Sequence, residues 1–400
     1  VAGPQPAAVV NRVPLVYPGA QLSFAERSTT MSRHILTASL LTVSVLSSAR
    51  AAGEGPDAPD VQAVVDKAVA YLRKSQSIAD GSYSARRTGP GVTALVAAGL
   101  LRNGIGTADP TVAKAMAYLE KNVKPDGGVY DRGLANYTTS IALMTFTEAN
   151  AGGKYDTIIK NASTFLKGLQ YADARVTDKD PKYGGVGYGS KDRPDLSNTQ
   201  YFLDAMKAAG VSKDDPAVQR ALKFVSRCQN LPGETNDQPF AKKTTDDDRG
   251  GLTYKPFDVD DNEHKTPEGG LRSLGAMTYG GLKSFLYAGV SKDDPRVQGA
   301  VKWIRGHYTL TENIGMGQAG LFYYYHTFGK AMQALGENQF EDAKGVKHDW
   351  RKELFEAIKT RQHDDGSFTN TGDRTFGESD PNIATAFALL ALSYCKAPAK

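Results

Sequence analysis

Three clusters in this sequence have residue types suited to chemistry. The first is Tyr323-Tyr324-Tyr325-His326-Thr327, which opens an apolar run ending at Leu335. Imidazole changes charge near neutral pH, so His326 is a candidate general acid or base; the other role open to it is a hydrogen-bonded histidine at a helix start. The tyrosine rings have three uses: stabilising a cation by about 0.5–2 kcal/mol each, stacking on sugars, or packing. The second cluster, Arg272-Ser273 with Met277-Thr278-Tyr279-Gly280-Gly281, occupies the same position before an earlier apolar run. Glycine inside a helix costs about 1 kcal/mol against alanine, so close helix packing or cavity space must favour Gly280 and Gly281. The third is the acidic loop 246–263, with Asp246-Asp247-Asp248 and Asp258-Val259-Asp260-Asp261. Hard cations prefer clustered carboxylates, and a solvated loop is the other reading.

The elements that must position these residues recur along the chain. Val61, Val64, Val65, Ala68, Val69 and Leu72 fall on one face at helical spacing, which predicts an amphipathic helix over 61–76. Asp80-Gly81-Ser82-Tyr83 then turns the chain. The run Thr93–Leu101 has almost no polar face, so that helix is buried on most sides. The pair repeats six times. The first helices carry an aromatic–aliphatic pair followed by Gln, as in Tyr71-Leu72 with Gln76, Phe165-Leu166 with Gln170 and Phe224-Val225 with Gln229, and Gln362 keeps the Gln alone. The second helices are each predicted to begin at a Thr: Thr93, Thr139, Thr199, Thr278, Thr327 and Thr385. A helix N-cap explains each Thr singly, and an ordinary turn each Asp-Gly; neither explains their recurrence in register. Repeats of two helices mean stacked hairpins, because one hairpin cannot bury its own apolar face.

The repeat unit, aromatic-Leu-x3-Gln, then Asp-Gly-Ser/Gly-aromatic, then Thr-Ala-x-Ala-Leu-Leu-Ala-Leu (as in Thr385–Leu392), resembles that of squalene–hopene (terpene) cyclases and protein prenyltransferase β-subunits. It is most similar to exported bacterial prenyltransferase/squalene-oxidase-repeat proteins. The resemblance implies an all-α fold, six helical hairpins closed into an (α/α)6 toroid around a central cavity. It also implies two chemistries to look for. Class II terpene cyclases protonate an isoprenoid with a D-x-D-D-T motif, in which burial and a neighbouring carboxylate keep an acid protonated. The stretch in register here is Asp195-Leu196-Ser197-Asn198-Thr199; the flanking Asp and Thr are kept, but Ser197 stands in place of the middle acid and Asn198 in place of the next, which leaves that mechanism no proton donor. The literal D-x-D-D, Asp258–Asp261, lies in the loop well before Thr278. Prenyltransferases hold zinc with Asp, Cys and His, and no D-x-C occurs here. Thioester domains sharing the toroid need C-G-E-Q, which Cys228-Gln229-Asn230 is not.

The candidate catalytic residues are therefore Asp195, His326 and Tyr325. The candidate cavity residues are Asn198, Thr199, Arg272, Thr278, Tyr279 and Tyr324, with no metal and no cofactor expected. The leading expectation is a cavity that binds, and has scope to transform, an isoprenoid or other bulky apolar ligand. A polysaccharide lyase or hydrolase, using Asp195 with Arg272, and a non-enzymatic scaffold are the alternatives.

Around this body, composition sets bounds. Hydrophobic residues at 40% and charged residues at 23% are ordinary globular values. The formal charge of +4 comes without a Lys/Arg block, which argues against a nucleic-acid partner. Two cysteines, Cys228 and Cys395, are too few for a disulfide framework, and as ends of antiparallel helices they should not bond to each other. Met31-Ser-Arg-His34, the apolar run Ile35–Leu46 and Ala49-Arg50-Ala51 have the three-part layout of a signal peptide. The expected organisation is an upstream leader over 1–30, a signal peptide over 31–52, a linker over 53–60 and the toroid over 61–396. A periplasmic or extracellular location follows. No segment is apolar enough over the roughly 20 residues a membrane-spanning helix takes.

Overall fold

The computed structural model describes residues 55–396 apart from 132, 173–175 and 261. The leader and signal-peptide expectations lie outside the described residues. Each first helix presents one apolar stripe. In α1 (Ala58–Ser75) the buried residues are Val61, Val64, Val65, Ala68, Val69 and Leu72, the face that the periodicity predicts. The other helices of this kind are α4 (Pro110–Lys121), α6 (Asp156–Leu169), α8 (Pro216–Arg227), α10 (Pro295–His307) and α12 (Trp350–Lys359). Asp109, Asp215 and Asp294 cap α4, α8 and α10, each accepting a backbone N–H two residues on, and each is followed by proline. Proline loses nothing there, since that N–H has no helical partner.

The second helices are α3 (Gly91–Arg102), α5 (Ala135–Glu148), α7 (Leu196–Ala208), α9 (Gly275–Tyr287), α11 (Leu321–Leu335) and α13 (Pro381–Cys395). They are buried on nearly every face, as nine consecutive buried residues in α3 show. Each packs on the next, and α13 packs back on α3, so the six close into an inner ring. The first helices stand outside it. α4, α6 and α10 sit against the inner helix that precedes them in the chain, and α1 against α13. The fold is an all-α toroid of six hairpins. One-turn α2 (Ala85–Thr88) and a hairpin of two-residue strands, Phe340–Glu341 with Lys347–His348, are additions at the loops. Among the described residues no helix is long and apolar enough to cross a membrane.

The recurring Thr and Gln are clamps, and this corrects the N-cap expectation. The inner helices begin two to six residues before each Thr. From inside the first turns, Oγ1 accepts the backbone N–H at the end of the preceding turn: Tyr83 to Thr93, Val129 to Thr139, Val186 to Thr199, Leu252 to Thr278 and Phe368 to Thr385, at 2.9–3.0 Å. Thr327 instead donates to the Tyr323 carbonyl. Each Gln donates to its own turn glycine and to the next outer helix: Gln76 to Gly81 and Thr111, Gln170 to Gly184 and Ala217, Gln229 to Gly250 and Arg296. Gln362 donates to Gly366 and to Val64 of the first repeat, which fastens the ring shut. The turn glycines have to be glycine. Gly184 has φ +86°, and a Cβ there would stand 1.8 Å from the Arg220 carbonyl oxygen.

Cys228 and Cys395 are both free and buried. Gly280 and Gly281 answer to packing. A Cβ at Gly280 would come within 2.4 Å of Gln200 Oε1, and one at Gly281 within 2.3 Å of Leu252.

Candidate functional site

The inner helices run parallel, so their N-terminal ends gather at one face of the ring. A cavity of about 430 Å³ opens there. Its wall comes from the first two turns of all six: Val92 and Leu95 of α3, Tyr137 and Ile141 of α5, Ser197 of α7, Met277 of α9, Tyr323 of α11, and Ile383 and Phe387 of α13. Loop residues Leu134, Tyr188, Tyr254, Met316, Phe376 and Glu378 complete it. Leu134, Tyr188 and Phe376 are 45%, 37% and 54% exposed, three of the five large hydrophobic side chains that reach solvent among the described residues. They mark an apolar rim.

Rings line one side. Tyr137 and Tyr201 lie 4.4 Å apart with their hydroxyls at 3.3 Å, Tyr323 stacks on Tyr201 at 6.3 Å, and Phe387 meets Tyr323 edge-on. Glu378 is the one charged residue of the wall. It is 1% exposed, and accepts N–H groups of Phe322, Tyr323 and the Asn370 side chain at 3.2, 2.7 and 2.8 Å. It thus caps α11, where the helix dipole favours an anion, while burial pushes its carboxyl upward. Asp195 caps α7 in the same way, accepting the Asn198 N–H at 2.7 Å and the Asn198 amide at 2.8 Å. Its burial raises the carboxyl to about 6, against which the Asn198 hydrogen bonds and the Tyr254 hydroxyl work. Tyr254 and its neighbour Tyr188, whose hydroxyls are 3.5 Å apart, stand between Asp195 and the cavity.

Residues 88–245, from α2 to the loop after α8, match the family model of the squalene-hopene cyclase C-terminal domain. The resemblance is to the terpene cyclase/prenyltransferase-like superfamily. No curated protein matches the chain. Among solved structures, the type II terpene cyclase MstE from Scytonema is 13% identical with a TM-score of 0.49, over 84% of this chain and 98% of that one. A variant of MstE in complex with geranylgeranyl dihydroxybenzoate is 14% identical with a TM-score of 0.45, over 84% and 97%. An alpha-amylase from Clostridium perfringens is 13% identical with a TM-score of 0.49, over 84% and 97%.

None of the sequence-derived candidates forms the wall of the main cavity. In the stretch in register with the superfamily's acid motif, Asp195 and Thr199 are cap and clamp. Asn198 is wholly buried, its carbonyl and side-chain oxygens accepting from Asn136. Ser197, the acid's position, faces the cavity 3.1 Å from the Tyr323 hydroxyl. Arg272 pairs with Asp248 at 3.3 Å, so the Asp195–Arg272 pair of the polysaccharide reading is not assembled. Thr278 clamps its turn, and Tyr279 packs against Tyr324 and Phe328. Tyr324 and Tyr325 turn outward and donate to the carbonyls of Thr309 and Leu310. Successive helical residues point about 100° apart, so of the tyrosine run Tyr323 alone takes the inward position in the wall. The loop acids are neutralised separately: Asp260 by Lys265 and Asp258 by Arg193 and Lys255, while Asp248 caps Ser273. Asp261 lies outside the described residues. Among those described, no three His, Cys, Asp or Glu gather as a metal site would require.

His326 lines a second cavity of about 20 Å³, deeper along the ring axis, with Arg102, Met144 and Lys330. Burial and the nearby cations hold its imidazole well below the usual range, so it is neutral. Beside it lies a group that the sequence reading missed. Asp204 accepts both Lys283 and Lys330 at 2.8 and 2.7 Å, with every side chain at most 7% exposed. Gln200 accepts from Lys283 and donates to Tyr323, linking this floor to the cavity above. Three charged residues spaced along otherwise apolar helices carry no local signal that they meet.

Proposed function

We propose that this toroid is an exported protein whose mouth-side cavity binds an isoprenoid or another bulky apolar ligand. The observation that carries the reading is the wall itself: apolar and aromatic side chains from five of the inner helices, with Ser197 from the sixth, surround about 430 Å³, a volume in the range of small-molecule sites. Apolar surface removed from water contributes about 25 cal/mol per Å², which suits a hydrocarbon body. The ring of tyrosines offers π faces to any positive charge developed in it. Catalysis by the superfamily's acid motif is not supported, because Ser197 occupies that position; Glu378, fully engaged as a cap, is an acceptor. A polar groove with paired acids would have favoured a glycan, and this wall is not one.

The test is native mass spectrometry with lipid extraction on protein purified from its own host. A stoichiometric co-purifying isoprenoid or other lipid is expected. A clean apo mass, with no thermal shift on adding squalene, would overturn the reading. Export rests on the layout Met31–Ala51. N-terminal sequencing of mature protein should find a start close to Ala51 or Ala52, and an intact Met31 would remove that part of the proposal.

A further inference from the structure

We propose that the cavity selects a neutral ligand with an alcohol head, and that Tyr188 and Tyr254 hold its hydroxyl. This deepens the cavity reading and rests on it. The wall contains no Lys, Arg or His among the described residues, and its one charged group is the Glu378 carboxylate. A diphosphate or carboxylate head would find no cation, and burying a charge without a partner is strongly unfavourable. Four of the six gathered helix N-termini are also already occupied as anion sites. Asp195, Asn313, Glu378 and Asp380 already accept the first N–H groups of α7, α9, α11 and α13.

The polar points of the wall then decide the head. Tyr323 is held by both Gln200 and Ser197, and Tyr137 faces the buried Tyr201 hydroxyl at 3.3 Å. The Tyr188–Tyr254 contact is different, at 3.5 Å the limit of a hydrogen bond. A phenol hydroxyl carries one proton and an acceptor oxygen, so two hydroxyls that hold each other this loosely, in which either can be the donor, have one donor and one acceptor to offer a third group. One donor and one acceptor side by side match an alcohol, which accepts from one hydroxyl and donates to the other. A hydrocarbon uses neither. Tyr188 is 37% exposed, so the head sits at the wet end, with the apolar body running inward past Leu95, Ile141 and Phe387.

The experiment titrates the full chain with farnesol, farnesene and farnesyl diphosphate, read by thermal shift and calorimetry. Farnesol should bind about 3- to 10-fold tighter than farnesene, and the diphosphate at least about 10-fold weaker than the alcohol. Tyr188→Phe and Tyr254→Phe should each bring farnesol down to the farnesene value and leave farnesene unchanged. If Tyr254→Phe fails to fold, Tyr188→Phe carries the test. Equal binding of farnesol and farnesene, or variants without effect, would overturn the alcohol anchor and leave the cavity standing. A diphosphate that binds best would also overturn it. Binding of none of the three would remove the cavity reading and the anchor together.

Discussion

The upper and lower halves of the ring axis are made by the same six helices and have opposite characters. At the N-terminal ends, the axis is a cavity walled by Val92, Ile141, Met277 and Phe387. One to two turns further along, it is filled by Asp204, Lys283, Lys330 and His326, with room for about one water. The hole of this toroid is therefore a cup, and the charged floor sets its depth. Two lysines share one carboxylate there. Asp204 Oδ1 and His326 Nδ1 have no hydrogen-bond partner. Burial lowers the Lys283 amine to about 8, and the Asp204 carboxylate opposes that fall. Ion groups buried in this way are weak contributors to stability compared with apolar residues of the same volume. What they supply is a fixed end to the cup.

The largest expected effect breaks that floor. Asp204→Ala leaves two buried ammonium groups without an anion, a loss of about 3–5 kcal/mol. Urea unfolding measures it, and a change near zero would mean that the lysines are neutral or otherwise paired. The next effect belongs to the upper half and depends on pH. Burial raises the Asp195 carboxyl from 3.8 to about 6. Between those values the folded protein keeps a proton that the unfolded chain has released. The contribution of this group is therefore full below about pH 4 and lost as pH rises through about 6, on the order of 3 kcal/mol. Asp195→Asn should flatten that part of the stability curve; a slope of the same size in the variant assigns it to another group. Ile141→Trp sharpens the comparison from the other side. Ile141 is 2% exposed and lines both cavities. Overpacking should cost about 1–3 kcal/mol, and co-purified ligand should disappear while the fold, by circular dichroism, stays.

How much of this was legible in the sequence differs between the same two levels. The ring was legible because it rests on period and recurrence. The α1 face follows from 3.6-residue spacing, and Gln76, Gln170, Gln229 and Gln362 recur because one turn geometry recurs. The cup was not. Its wall depends on helical phase within one turn, which is why Tyr323 lines it and Tyr324 and Tyr325 do not. Tyr188, Tyr254 and Glu378 come from loops whose partners are far away in sequence, as with Glu378 and Tyr323, 55 residues apart. The acid-motif alignment found the right turn of α7 and, in Ser197, the right face. The chemistry expected at Asp195 belongs to a cap one layer behind the wall.

The smallest effect separates a clamp from its imitation. Thr278 accepts the Leu252 N–H at 2.9 Å and is wholly buried, as is Leu252. Thr278→Val strands that N–H away from water, at a cost of about 1–3 kcal/mol. Thr327 holds the equivalent place one repeat later, yet its hydroxyl donates to the carbonyl one helical turn back. That carbonyl is an acceptor of the helix itself, so Thr327→Val leaves no buried donor stranded, and valine restores the methyl contact. A change of no more than about 0.5 kcal/mol is expected. Chemical denaturation of the two variants side by side is the measurement. Equal losses would mean that the residue type at this register, rather than the turn it holds, is what the fold requires, and the fifth repeat would then have to be counted with the others.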